Sequence, residues 1–268
     1  MHRLYIFTGK GGVGKTTLSK AFVQYLTENN QEAVYLTFKN QSLGDSHQGN
    51  TDVQNHGIRE ISLDLEECAR AYIERRLNSK IISSWIVKTP FFRALINMVP
   101  GFSYLIYLGK VLELGRDYPN LIVVLDAPAS GHALTMVEST TNFRQIFESG
   151  AIFEDTNKML SRLNDPAYTK INVVSLPSLM SWQEATELKA GLKERTPVDV
   201  DIIVNNCLYL IVEDSLEALP QGLKEKALNE KQLILNNQSE MRCILPHSLG
   251  TNGDSIQREL VGSLSKLI

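Results

Sequence analysis

An α/β fold with a doubly wound, mostly parallel sheet is predicted by three observations. Apolar runs of strand length alternate with segments of helical period; a glycine-rich loop directly follows the first apolar run; and a later buried-type run ends in a carboxylate. The strands expected in order are Leu4 to Thr8, Ala33 to Phe38, Ile58 to Leu63, Leu121 to Asp126, Ile171 to Leu176, Val200 to Asn205 and Arg242 to Leu245. A first helix is expected from Lys15 to Thr27, with Leu18, Phe22, Tyr25 and Leu26 on one face. The polar stretches Gln41 to Asn55 and Ser149 to Tyr168 read as mobile loops or excursions. No repeat, low-complexity tract or interdomain linker interrupts the pattern, so residues 1–268 read as one domain with a helical excursion over about 65–118.

Residues Gly9 to Thr17 read G-K-G-G-V-G-K-T-T between the first strand and the first helix. That is the sequence form of a loop that cradles phosphates, and it predicts a P-loop nucleoside triphosphatase fold. Backbone N–H groups must close around the phosphates, and Gly9, Gly11, Gly12 and Gly14 let the chain approach and turn, with Val13 carried between them. Lys15 places a compact charge at the β- and γ-phosphates, Thr16 offers a hydroxyl to Mg²⁺, and Thr17 continues the helix N-terminus, whose partial positive charge also favours an anion. ATP or ADP with Mg²⁺ is the expected ligand. The second site is Leu121-Ile-Val-Val-Leu-Asp126, whose terminal acid stands where a strand end beside the phosphate loop would hold the metal. The alternative for Asp126 is a cap on the following helix.

Composition narrows the classes. With 43% hydrophobic residues, 21% charged and a net charge of -3, the chain suits a conventional core and lacks the basic excess expected of a nucleic-acid partner. Cys68, Cys207 and Cys243 form no C-x-x-C, so neither a disulfide framework nor a metal knuckle is indicated, and a reducing compartment is expected. The first strand begins at Leu4, leaving no room for a signal peptide, which predicts a cytoplasmic location. The uncharged run Ala94 to Gly109 falls short of the ~20 apolar residues of a transmembrane helix and is broken by Pro100-Gly101. Ile256, Leu260, Leu264 and Leu267 share a helical face without a strongly basic opposite face, which favours a docked terminal helix over a membrane-surface one.

Lys10, immediately after Gly9, gives the string K-G-G-V-G-K-T-T, which resembles the deviant loop of the signature-lysine P-loop ATPases. That group includes arsenite-pump ATPases, tail-anchored-protein targeting factors, partition proteins and nitrogenase iron proteins. The resemblance implies that Lys10 reaches the phosphates of an opposite subunit, in a homodimer or paralogous heterodimer joined across the phosphate-loop face. Asp126 with Ala-Pro-Ala-Ser-Gly131-His132 resembles the D-T-A-P-T-G-H-T switch of the arsenite-pump and targeting branch, and His132 reads there as fixing the switch rather than as catalytic. Ile58 to Glu67, Val99-Pro100-Gly101, and Val174 to Pro177 with a helix from Ser181 to Glu194 extend the likeness over most of the chain.

The resemblance further implies that Asn205 meets the adenine edge, although a plain turn cap at Asn205 and Asn206 fits equally. It also implies a hydrophobic client or membrane-protein partner, for which Phe91, Phe92, Leu105, Ile106 and Leu108 are candidates; packing against the sheet is the alternative. One departure stands out. Asn40 falls where the branch carries the aspartate that orients the attacking water. An amide cannot accept that water's proton, so slow hydrolysis, or help from Asp45, is expected. The expectation is therefore an ATP-hydrolysing dimeric switch. A nucleotide-binding regulator or weakly active half of a heteromeric pair comes second, and a positioning ATPase of the ParA or MinD kind third.

Overall fold

The structure is a computed structural model describing residues 1–39, 49–55, 57–146, 149–250 and 253–267. Eight strands form one sheet: β1 (Leu4–Gly9), β2 (Ala33–Phe38), β3 (Thr51–Asn55), β4 (Ile58–Leu63), β5 (Ile122–Ala129), β6 (Thr169–Ser175), β7 (Val200–Cys207) and β8 (Met241–Pro246). Their spatial order is β3-β4-β2-β5-β1-β6-β7-β8, with every pairing parallel except β3 with β4. β1 lies between β5 and β6, so the loop after it opens where the chain winds outward in both directions.

Both faces of the sheet are covered, which is why its central strands read as continuous apolar runs. Alternate residues serve opposite layers. Leu4 and Ile6 of β1 pack with Tyr107 and Leu108 of α5 (Phe102–Asp117), Met136 of α6 (Ser130–Ile146) and Trp182 of α8 (Leu179–Lys193). Tyr5 and Phe7 face the other way, onto α1 (Lys15–Glu28). There Phe22 is fully buried, its ring 4.9 Å from that of Tyr5 and 5.6 Å from that of Phe7. Phe22→Ala should therefore cost ~3–5 kcal/mol of stability. Urea denaturation measures it, and an unshifted midpoint would contradict this packing. The helix Gly253–Val261 and the turn after it dock Leu260, Leu264 and Leu267 on the same face.

Two polar segments fold further than the sequence suggests. Thr51–Asn55 lies in a stretch read as loop, yet it forms the antiparallel edge strand β3. It carries no alternating apolar pattern because it is exposed along its length; pairing to β4 and the bidentate Arg59–Asp52 contact hold it. Likewise Ser149 to Tyr168 contains α7 (Ala151–Leu163), which buries Thr156 and Leu160. β5 also runs past Asp126 to Ala129, and α6 starts only at Ser130, so Asp126 is not a helix cap.

Between β4 and β5 stand α2 (Leu65–Leu77), α3 (Lys80–Lys88), α4 (Pro90–Met98) and α5. Side-chain caps mark the starts of the first three: Asp64 accepts from the Glu67 N–H, Ser79 from Ile82 and Thr89 from Phe92, with Pro90 opening α4. α4 and α5 meet at 97° across the Pro100-Gly101 break. Gly101 takes a φ of 81°, and a Cβ there would lie 2.7 Å from the Ser139 Cβ, so the bend needs glycine both for its dihedral and for space. Among the described residues no single helix is long and apolar enough to cross a membrane, although this bent pair meets the length and composition test jointly. Of the residues considered for a hydrophobic client, Phe92, Leu105 and Leu108 are buried in the packing of these helices, Ile106 is partly buried, and Phe91 is exposed. The sheet and neighbouring helices have claimed most of that apolar surface.

Candidate phosphate and metal site

The phosphate loop is shaped by where its glycines sit. Gly9 ends β1 with a φ of 140°, and a Cβ there would collide with the Val174 carbonyl of β6, so no side chain fits. Gly14 opens α1 at φ 90°, where a Cβ would collide with the side-chain amide of Asn205. Gly11, by contrast, stands in open space without a positive φ, so nothing in the fold itself demands glycine there. Asn205, buried at the end of β7, donates Nδ2 to the Val13 carbonyl at 2.9 Å. It thus supports the loop from the sheet side. Its neighbour Asn206 adopts the left-handed φ of a turn, 66°, and contacts His247 Nδ1.

Lys15 lies in the loop's mouth, its Nζ donating to the Lys10 carbonyl at 2.8 Å. Partial burial pulls its pKa below the ordinary lysine value, against the opposing pull of Asp126. A bound polyphosphate would reverse that shift by supplying the missing negative charge. Across the mouth, Asp126 Oδ2 accepts from the Thr16 hydroxyl at 2.6 Å and from the Tyr35 hydroxyl at 2.9 Å. Register explains the meeting: Asp126 pairs with Phe7 of β1 on one side and Thr37 of β2 on the other, at the carboxyl ends of all three strands. Burial, and then the Asp126 carboxylate, push the Tyr35 phenol well above its usual value, which keeps it a donor. Thr8 Oγ1 donates to the Pro128 carbonyl at 3.0 Å and so ties the strand after Asp126 to the loop strand.

A hydroxyl and a carboxylate already within hydrogen-bond distance at the loop's end are hard oxygen donors that suit Mg²⁺, which takes one or two protein ligands and completes its shell with phosphate and water. Among the described residues no cluster of three or more His, Cys, Asp or Glu side chains offers a different kind of metal site. Lys10, half exposed, turns to its own chain, with Nζ 2.6 Å from Glu184 Oε1 on α8. His132, at the start of α6, is exposed beside Tyr104, with ring centroids 6.4 Å apart. Asn40 and Asp45 lie outside the described residues.

Residues 2–160 match the anion-transporting ATPase family. This chain belongs to that family. It is 25% identical to the arsenical pump-driving ATPase of Escherichia coli over 279 aligned residues, which cover 97% of this chain and 44% of that protein. It is 26% identical to the arsenical pump-driving ATPase of Acidiphilium multivorum, over 91% of this chain and 41% of that protein. The ATPase BagA of Mycobacterium tuberculosis is 20% identical over 85% of this chain and 70% of its own length. The chain thus spans less than half the length of the two pump-driving relatives.

In this anion-transporting ATPase family chain the three cysteines are free and buried. Burial pushes the thiols of Cys68 and Cys243 up to about 12 and that of Cys207 up to about 11, so all three are protonated near neutral pH. Two residues joined the site without notice from the sequence. Tyr35 is inside a strand whose apolar pattern says only that it is buried, and Glu184 lies far from Lys10 along the chain. Only the pairing of β2 with β5 and the packing of α8 reveal them.

Proposed function

We propose that this chain binds Mg·ATP and hydrolyses its terminal phosphoanhydride, working as a nucleotide-controlled dimer in the cytoplasm. The observation that carries the reading is the Thr16–Asp126–Tyr35 hydrogen-bonded unit at the mouth of the loop that holds Lys15. In this reading the loop N–H groups and Lys15 hold the β- and γ-phosphates. Thr16 and Asp126 would hold Mg²⁺, which would supply positive charge against the phosphate oxygens. Tyr35 fixes the Asp126 carboxylate so that its second oxygen keeps one orientation. Asn205 holds the loop through Val13, leaving its Oδ1 for the adenine amino group. Lys10 leaves Glu184 and adds a cation to the phosphates of the partner subunit, a homologous or identical chain. Relatives named as pump-driving ATPases support a role in which this cycle moves an anion or engages a membrane partner. Calorimetric titration of Mg·ATP with a steady-state phosphate-release assay tests the proposal; a folded protein with neither binding nor release would end it.

A second reading, a nucleotide-binding regulator or the weakly active half of a heteromeric pair, is favoured by the amide at Asn40. Under it, wild-type turnover falls below the usual ~1–10³ s⁻¹ while ATP affinity stays high. Asn40→Asp should then raise single-turnover hydrolysis by roughly 10²-fold, the low end for a positioned acid–base group. Brisk wild-type turnover with an indifferent or harmed Asn40→Asp variant would leave the ordinary ATPase reading standing.

A further inference from the structure

Between α2, α4, α5 and α7 lies a cavity of about 430 Å³, on the helical side of the sheet and outside the phosphate site. Its long wall is one stripe of α5: Phe102, Ile106, Gly109, Glu113 and Arg116. Spacings of three and four residues keep these on one face, and at ~1.5 Å per residue the stripe runs about 21 Å. Gly109 lets Met159 of α7 approach α5 closely on this wall, since a Cβ there would sit 2.9 Å from Met159 Cε. Ala69, Ile73 and Phe92 close the far wall, so the interior is apolar. The volume falls within the ~300–1,000 Å³ of small-molecule sites, and the length suits a chain better than a ring.

The charges at the wall are unequal. Glu113 is engaged by Arg75 at 2.5 Å and Lys110 at 3.4 Å, and Asp155 by Arg76 and by the Tyr72 hydroxyl at 2.9 Å. Both carboxylates that line the cavity are thus already answered. Lys158 and Arg162, one turn apart on α7 and exposed, have no carboxylate partner among the described residues; Arg162 only lies over the Tyr168 ring, 5.0 Å from its centroid. An apolar interior is therefore lined, at its exposed α7 wall, by two cations without a carboxylate partner among the described residues.

We propose that this cavity binds a single-chain amphiphile, its aliphatic chain along α5 and its anionic head group, carboxylate or phosphate, against Lys158 and Arg162. The chain gains by leaving water for the apolar wall, and the head meets charge-assisted donors at the solvent edge without burying its charge. This site stands apart from the nucleotide reading and survives or fails independently of it.

Calorimetric titrations with decanoate, dodecanoate, dodecyl phosphate and dodecyltrimethylammonium, each below its micelle concentration and with ATP absent, test the proposal. Saturable one-to-one binding of the anionic ligands is expected. Affinity should rise about fourfold per added methylene, as ~0.8 kcal/mol each implies, and the cationic analogue should bind at least tenfold more weakly. The tighter of carboxylate and phosphate identifies the head group. The double variant Lys158→Glu, Arg162→Glu, which alters only exposed positions, should lose at least tenfold for dodecanoate and gain for the cationic ligand. Gly109→Leu should abolish binding by filling the cavity; if it does not fold, the charge-reversal pair decides alone. Unsaturable uptake of several equivalents, equal affinity for the cationic ligand, or unchanged binding in the double variant overturns the proposal. So does displacement of dodecanoate by a hydrophobic helical peptide, which would assign the cavity to a protein partner.

Discussion

Lys15→Ala should bind Mg·ATP at least ~100-fold more weakly than wild type, a loss of about 2.7 kcal/mol, while remaining folded. The magnitude follows from what is removed: the Lys15 ammonium in the loop's mouth, whose charge-assisted bonds to phosphate would each be worth ~1.5–3 kcal/mol. The fold gives up little, because burial already disfavours this ammonium and among the described residues its one hydrogen bond is to the Lys10 carbonyl. Circular dichroism establishes the fold and calorimetry the affinity. A folded variant with undiminished affinity would place the nucleotide elsewhere.

Lys10→Ala should separate binding from turnover. ATP affinity is expected to change less than about threefold, while turnover falls at least ~100-fold, a conservative share of the ~10³–10⁵ that a cation supplied in trans can contribute. Dimer closure with a non-hydrolysable analogue, followed by light scattering, should be lost as well. The contact with Glu184 refines the test. With side chains 48% and 37% exposed, that ion pair is worth about 0–1 kcal/mol, weak enough to be exchanged for a partner's phosphates. Glu184→Gln should consequently retain closure and shift it to lower nucleotide concentration. If Lys10→Ala closes and turns over normally, the trans-acting role fails; if Glu184→Gln closes less readily, the contact serves assembly rather than restraining it.

What the sequence disclosed is what is local. The glycine loop, its lysines and the acid at Asp126 are legible because the chemistry is written in consecutive residues, and the buried strands because apolar runs announce a sheet covered on both faces. β3 was hidden because an exposed edge strand carries no apolar signature, and α7 because its polar residues outnumber the few it buries. Tyr35 and Glu184 were hidden for a different reason: each reaches the site through a pairing or packing between distant segments. The Asp126 environment is therefore only half readable from sequence, its Thr16 contact through the motif and its Tyr35 contact through register alone.

The bond from Asn205 to the Val13 carbonyl makes that side-chain amide an internal gauge of the phosphate loop. That amide is buried at the end of β7, so its bonded N–H should exchange slowly. Any rearrangement of the loop must lengthen, shorten or break this bond, and the signal moves with it. Under the proposed function, nucleotide occupancy and the return of the loop after phosphate release should thus be readable at one nitrogen without a dye, a label or an engineered cysteine.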